Sequence, residues 1–147
     1  MSHWLYQMRA NDNEPYRPEH YRAEVYEDRV VKWDTPGETI NIDPRGQGMP
    51  GPGDKVIFFF CETGLQDEEE PGLYGLGEIQ EFGNESSGRV LHFTPLPPND
   101  ELKKKPAWSP KIKQFINKIR GGFFQRTLWG ITEPEYQEFL AEMHASL

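Results

Sequence analysis

Eight cations and an indole share one short stretch of this chain. Lys103, Lys104, Lys105, Lys111, Lys113, Lys118, Arg120 and Arg126 fall within 24 residues that hold no Asp or Glu, so the stretch is +8, while the rest, with 8 basic against 24 acidic residues, is −16. A net charge of −8 therefore conceals a local field able to attract phosphate over roughly a Debye length of ~8–10 Å. Amphipathic helices also place Lys and Arg on their solvent side. The complete lack of acids within an acid-rich chain favours a phosphate-facing surface built from Lys103, Lys104, Lys105, Lys111, Lys113, Arg120 and Arg126. Trp108 lies inside this stretch between Pro106 and Pro110, and Trp33 is followed by Asp34-Thr35-Pro36, where extended structure must break. Each indole stands at an element's edge beside polar groups, where it can offer a face to a flat ligand. Trp4 and Trp129 lie in alternating or apolar segments and read as core.

Catalytic constellations are not evident. His3, His20, His92 and His144 are dispersed, Cys61 has no local partner, and no Ser occupies a nucleophile-elbow context. Asp67 to Glu70 lacks the spaced ligands and glycine of a calcium loop and reads as a solvated charge run. Gly75-Leu76-Gly77 lacks the third glycine and the following helix of a dinucleotide fingerprint. No metal or cofactor is expected.

The elements that must position the two indoles and the cations are mainly strands. His3 to Arg9 alternates as a half-buried strand, Trp4, Tyr6 and Met8 against Leu5, Gln7 and Arg9. Asn11 to Glu19 is turn-rich, and Arg29 to Thr35 is a short strand or extended arm ending at Pro36-Gly37. Asp43 to Asp54, rich in Pro and Gly, is a loop that turns at Gly53-Asp54. Lys55 to Cys61 is apolar on both faces and belongs in the centre of a sheet. Leu73 to Phe82 is the next strand; its Gly75 and Gly77 mark a bulge, a bend or a group passing close to the backbone. Gly83-Asn84 turns the chain into the strand Arg89 to Thr94. After a polar, basic linker, Ser109-Pro110 caps and starts a helix carrying Ile112, Phe115, Ile116 and Ile119, closed by Gly121-Gly122. Arg126 to Ile131 adds a last strand, and Thr132 with Glu135 forms a capping box for a helix through Tyr136, Phe139, Leu140 and Met143.

With 147 residues, one domain spanning 1–147 is the natural reading. Hydrophobic content is 35% and mean hydropathy −0.79, yet nine Phe, six Tyr and four Trp make a large-residue core possible. One cysteine excludes an internal disulfide, and no segment approaches a membrane span or a secretory leader, so a soluble cytoplasmic protein is expected.

The segments His3-Trp4-Leu5-Tyr6-Gln7, Trp33-Asp34-Thr35, Gly53-Asp54-Lys55-Val56-Ile57-Phe58-Phe59-Phe60 and Leu73-Tyr74-Gly75-Leu76-Gly77-Glu78-Ile79 resemble, in order and spacing, EVE domains of the PUA-like superfamily and their YTH relatives. The likeness runs from Trp4 to about Phe93, with a looser match at Phe123 to Thr132. It implies an α+β, β-rich fold, a small pseudo-barrel of about five to six strands with short flanking helices. It also implies a pocket that takes one flipped-out modified base, such as a methylated one, between aromatic side chains. On that resemblance Trp33 is a cage wall and Asp34 and Thr35 offer edge contacts. Tyr6, Arg9 and Asn11 approach the same pocket, Phe60 and Cys61 line its floor, and Trp108 is the second wall. The long Pro and Gly loop and the acidic tip depart from the family's pattern.

The expected function is a non-catalytic module that reads modified DNA or RNA, with a nuclease or a translation or RNA-processing protein as a possible partner. One alternative is a hydrolase of the related ASCH group acting on modified nucleosides or RNA, for which Glu62 and Glu78 are the candidate carboxylates. Another is a regulatory domain whose basic stretch meets an acidic protein.

Overall fold

In the computed structural model of the chain, the residues described are 1–8, 24–32, 42–60, 72–85, 88–121 and 127–147. The seven strands are β1 (His3–Met8), β2 (Val30–Lys32), β3 (Ile42–Asp43), β4 (Lys55–Phe60), β5 (Gly72–Glu85), β6 (Gly88–Pro95) and β7 (Leu128–Ile131). The three α-helices are α1 (Asn99–Lys104), α2 (Pro110–Arg120) and α3 (Glu133–Ser146), and Glu24–Asp28 forms a single π-helical turn. All seven strands join one mixed sheet in the order β2-β6-β5-β4-β1-β7-β3. The protein is thus a small α+β fold with one more strand than the upper expectation. The extra pairing is β3, whose two residues run parallel to β7 and are too short to carry a periodic signal.

The central position of β4 follows from its composition. Val56 and Phe58 face one core cluster and Ile57 and Phe59 the other, and all four are fully buried. β1 lies beside it in parallel, with Met8 opposite Phe60. β1 is buried on both faces, not half-buried, because α3 covers its second side and Tyr136 stacks on His3 with ring centroids 4.6 Å apart. Trp4 and Trp129 are fully buried, as core residues should be.

The sheet curls around one of its two clusters. Val31 of β2 and Leu128 of β7 both belong to the cluster of Trp4, Tyr6, Phe58 and Phe93, and Ile42 of β3 packs against it. Both ends of the sheet therefore bend toward the same interior. Two register shifts, at Phe58/Phe59 between β4 and β5 and at Ile79/Glu81 between β5 and β6, supply the bend that bulges give a ladder. Among the described residues no hydrogen-bonded pair joins β2 to β3, so the sheet remains open. The other face carries Leu5, Ile57, Phe59 and Trp129 under α2 and α3.

The β5–β6 hairpin is longer than the sequence suggests. Gly83 and Asn84 do not turn the chain; they pair with Val90 and Arg89, and the ladder runs to Glu85 opposite Gly88. Gly75 and Gly77 mark close approach, one of the three readings expected for them. A Cβ on Gly77 would lie 2.5 Å from the Phe93 ring, and one on Gly75 would lie 2.9 Å from Val25.

Asp54 explains why an aspartate follows the turn glycine. Gly53 takes φ +89°, and the buried Asp54 carboxylate accepts from the Ser2 backbone N–H at 2.9 Å, the Trp4 indole N–H at 3.0 Å and the Gly51 N–H at 3.1 Å. One side chain thus ties the chain start, the core and the glycine-rich loop to the head of β4. The same loop is held at its other end, where Arg45 donates to the Gly130 carbonyl at 3.0 Å and to Glu135 at 2.9 and 3.3 Å. Among the described residues no helix is long and apolar enough to cross a membrane.

Candidate nucleic-acid interface

The described part of the acid-free basic stretch, 103–121, runs from the last turn of α1 through an extended link into α2. The polar linker expected before Ser109 contains α1, a six-residue helix with one buried side chain, Leu102, so no apolar periodicity announces it. Its Asn99 side chain both accepts from the Leu76 N–H at 2.7 Å and donates to the Leu76 carbonyl at 3.0 Å. This seats α1 on the part of β5 that β6 does not reach. Ala107 then makes a two-bond bridge with Leu73, at 2.8 and 3.1 Å, and Ser109 caps α2 by accepting from the Ile112 N–H at 3.1 Å. The Ser109 hydroxyl also donates to Glu142 of α3 at 2.8 Å. Between these two fixed points Trp108 is 36% exposed.

The cations do not form one uniform face. Ile112, Ile116 and Ile119 bury one side of α2, and at 3.6 residues per turn Lys111 and Lys118 fall on one flank of that stripe, Lys113 and Arg120 on the opposite flank. Lys113 and Arg120 already have interactions within the chain, and Lys103 lies 6.0 Å over the Tyr26 ring. Lys104, Lys105, Lys111 and Lys118 are exposed and make no ion pair among the described residues. Arg126 lies outside the described residues.

Of the pocket expected from the resemblance, Tyr6, the backbone of Phe60, and Trp108 are described, and Trp108 follows Ala107 of the helix-covered cluster, whereas Tyr6 lies in the cluster on the other face of the sheet. Tyr6 is buried in the interior cluster, its ring 5.5 Å from that of Phe58. The backbone of Phe60 pairs with Met8 on one side and Gly72 on the other. Trp33, Asp34, Thr35, Arg9, Asn11 and Cys61 lie outside the described residues. The strands leading to them are nevertheless placed. Arg9 and Cys61 follow Met8 and Phe60, which are register neighbours. Trp33 follows Lys32, which pairs with Val90 and through it with Gly83. Gly72 and Gly83 are eleven residues apart along β5, so the described ends of β1 and β4 are separated along the ladder from the end of β2, while Val31 and Tyr6 share one cluster.

Two contributors were not foreseen from sequence. Tyr26, in the π-helical turn, donates its hydroxyl to the Tyr74 carbonyl, and no periodic signal surrounds it. Asn99, an asparagine beside an aspartate after prolines, reads in the sequence as a plain turn.

The carboxylates suspected of catalysis are either engaged or outside the described residues. Glu78 pairs with Lys55 directly across the β4–β5 ladder, and Glu62 is not among the described residues. The resolved pKa shifts lie close by, where β1 pairs with the head of β4 and α3 packs on β1. Burial pushes His3 below its ordinary value, with Glu133 and Asp54 opposing, and burial raises the Tyr136 phenol. At Glu135 burial works to raise the carboxyl, but hydrogen bonds from Arg45 and from the Thr132 backbone prevail and hold it below the usual range. Among the described residues no group of three or more His, Cys, Asp or Glu is placed to hold a metal ion. No protein-family model matches the chain, and no curated protein matches it.

Proposed function

We propose that the chain is a non-catalytic, PUA-like module of the cytoplasm that binds DNA or RNA and reads a modified base, acting beside a nuclease or an RNA-processing protein. The observation that carries this reading is the set of four lysines, Lys104, Lys105, Lys111 and Lys118, exposed and without ion pairs among the described residues on a protein whose remaining chain is strongly acidic. Exposed cations clustered in an acid-free stretch are suited to phosphate. A sheet that bends both ends toward one aromatic interior supports the pseudo-barrel. Trp33, Asp34 and Thr35 are the residues proposed to hold the base, with Tyr6 and Phe60 beneath and Arg9, Asn11 and Cys61 at the adjoining strand ends. The hydrolase alternative gains nothing from Glu78, which is occupied by Lys55.

Short labelled strands, unmodified or carrying methylated, hydroxymethylated or glucosylated bases, test the proposal by equilibrium binding to wild type, Trp33→Ala and the double variant Lys111→Gln/Lys118→Gln. A modified strand should bind at least about tenfold tighter than its plain counterpart, a ~1.4 kcal/mol preference. Trp33→Ala should abolish the preference, whereas the lysine variant should weaken every strand alike. Equal binding of modified and plain strands overturns the base-reading function.

A further inference from the structure

We infer that the α1–α2 junction is a docking surface for an unpaired strand of nucleic acid, with Trp108 as the stacking platform and Lys104, Lys105 and Lys111 as phosphate contacts. The inference rests on the chain being a nucleic-acid binder and goes beyond it by naming the strand form and the second contact surface.

Three independent observations converge on this spot. Trp108 is the only large aromatic side chain among the exposed hydrophobics of the described residues, at 36% exposure, whereas Trp4 and Trp129 are fully buried. Its backbone is fixed on both sides, by the Ala107–Leu73 bridge and by the Ser109 cap with its bond to Glu142. A side chain on so firmly held a backbone loses less entropy when a base stacks on it. Second, the three lysines lie within four residues of Trp108 in sequence, exposed and without ion pairs among the described residues.

Third, α2 breaks an electrostatic rule that its two neighbours obey. α1 carries Asp100 and Glu101 in its first turn, and α3 carries Glu133 and Glu135, as the positive end of a helix dipole favours. The first turn of α2 has no acid; it has Lys111, with Lys113 just beyond. A cation there is mildly unfavourable to the helix; the Glu142 carboxylate at the Ser109 cap offsets part of this, and a phosphate bound at Lys111 would add to that offset.

The strand form follows from geometry. A helix that reads a duplex groove presents its polar residues on one face. The cations of α2 are split onto opposite flanks by its buried isoleucine stripe. An exposed indole with lysines on either side in sequence instead matches the stacking platform and backbone contacts by which single strands are held, largely irrespective of sequence.

The test uses labelled oligo-dT and oligo-rU of about twelve nucleotides, within the footprint of a small single-strand binder, and a duplex of equal length. Binding is followed by fluorescence anisotropy at several salt concentrations. The single strands should bind at least tenfold tighter than the duplex. Trp108→Ala should weaken them by at least tenfold while Trp108→Phe keeps most of the affinity. Replacing Lys104, Lys105 and Lys111 by Gln together should lower the salt slope by about 2, at ~0.7 per phosphate contact on a single strand. A dT strand bound as well as rU marks a backbone-and-stacking mode common to both; a strong preference for rU assigns the surface to RNA. Duplex binding equal to or tighter than single-strand binding overturns the inference, as does a Trp108→Ala protein that binds within twofold of wild type.

The outcomes separate the two proposals. Plain single strands bound through Trp108 with no preference for a modified base would remove the base-reading function and leave this surface standing. A Trp33-dependent preference unaffected by Trp108→Ala would do the reverse. No binding of any strand at low salt removes both.

Discussion

Among single residues, Asp54 holds the most separate parts of the molecule together, since its carboxylate meets a backbone N–H from the chain start, another from the glycine-rich loop and the fully buried Trp4 indole. Removing it leaves an indole N–H in the core with no acceptor, and an orphaned buried donor costs ~1–3 kcal/mol beyond the lost bonds themselves. Asp54→Ala should therefore lower stability by about 3 kcal/mol in urea unfolding at neutral pH. Asp54→Asn, which keeps one carbonyl acceptor in the same place, should lose about half as much. A loss below about 0.5 kcal/mol for the alanine variant would mean that the clasp does not stabilise the fold. The Gly53-Asp54 pair was visible in the sequence, but only as a turn. That the aspartate faces inward and meets Trp4, fifty residues away, depends on a parallel pairing of β1 with β4 that no local pattern encodes.

At the scale of elements, local chemistry was readable wherever one segment satisfies its own backbone. Ser109 accepts from Ile112 and Thr132 from Glu135, with Glu135 returning a bond to the Thr132 N–H, as the spacing of these residues predicts. An N-cap hydroxyl contributes ~1 kcal/mol. Thr132→Ala and Ser109→Ala should each lower stability by about that amount, read as a shift in the urea midpoint at unchanged slope. Ser109→Ala should also loosen Trp108, because the same hydroxyl anchors the junction to Glu142; a faster-relaxing indole in the variant would be the sign of it. The elements that escaped the sequence are those whose stability comes from elsewhere. α1 is held through Asn99 and Leu102, β3 is held by β7, and the hairpin runs past Gly83-Asn84 because the ladder with Val90 and Arg89 outweighs the turn preference of those residues. For the candidate interface, the acid-free stretch and the exposure of Trp108 were legible from charge and from the flanking prolines. The division of its cations between solvent, Tyr26 and contacts within the chain was not, because it depends on how the buried stripe of α2 is turned toward the sheet.

For the whole molecule, two of the three shifted groups, His3 and Glu135, flank the seam where the chain start, the glycine-rich loop and α3 meet, and both make the fold sensitive to acid. His3 has its pKa lowered from the ordinary 6.5 by burial, so the folded state prefers the neutral ring while the unfolded chain takes up a proton more readily. Stability then rises with pH where the unfolded state holds more protons; the His3 contribution is intact above 6.5 and is lost as pH falls from there through its lower folded value. Glu135 has its pKa held below the ordinary 4.5, with the Arg45 and Thr132 hydrogen bonds prevailing over burial. Its contribution is complete above 4.5 and is lost as pH falls through the folded value. Wild type should therefore lose thermal stability in two stages on acidification, the first beginning near pH 6.5 and the second near 4.5. His3→Phe, which can still stack on Tyr136, should remove the first stage, and Arg45→Gln should shrink the second without touching the first. Many other carboxylates titrate in the lower range, and so the informative quantity is the difference between wild type and variant at each pH. A His3→Phe protein whose midpoint parallels wild type from pH 8 to 5 would show that the histidine is not the proton acceptor at this seam. A second stage of equal size in Arg45→Gln would show that the arginine does not hold Glu135 in its ionised form.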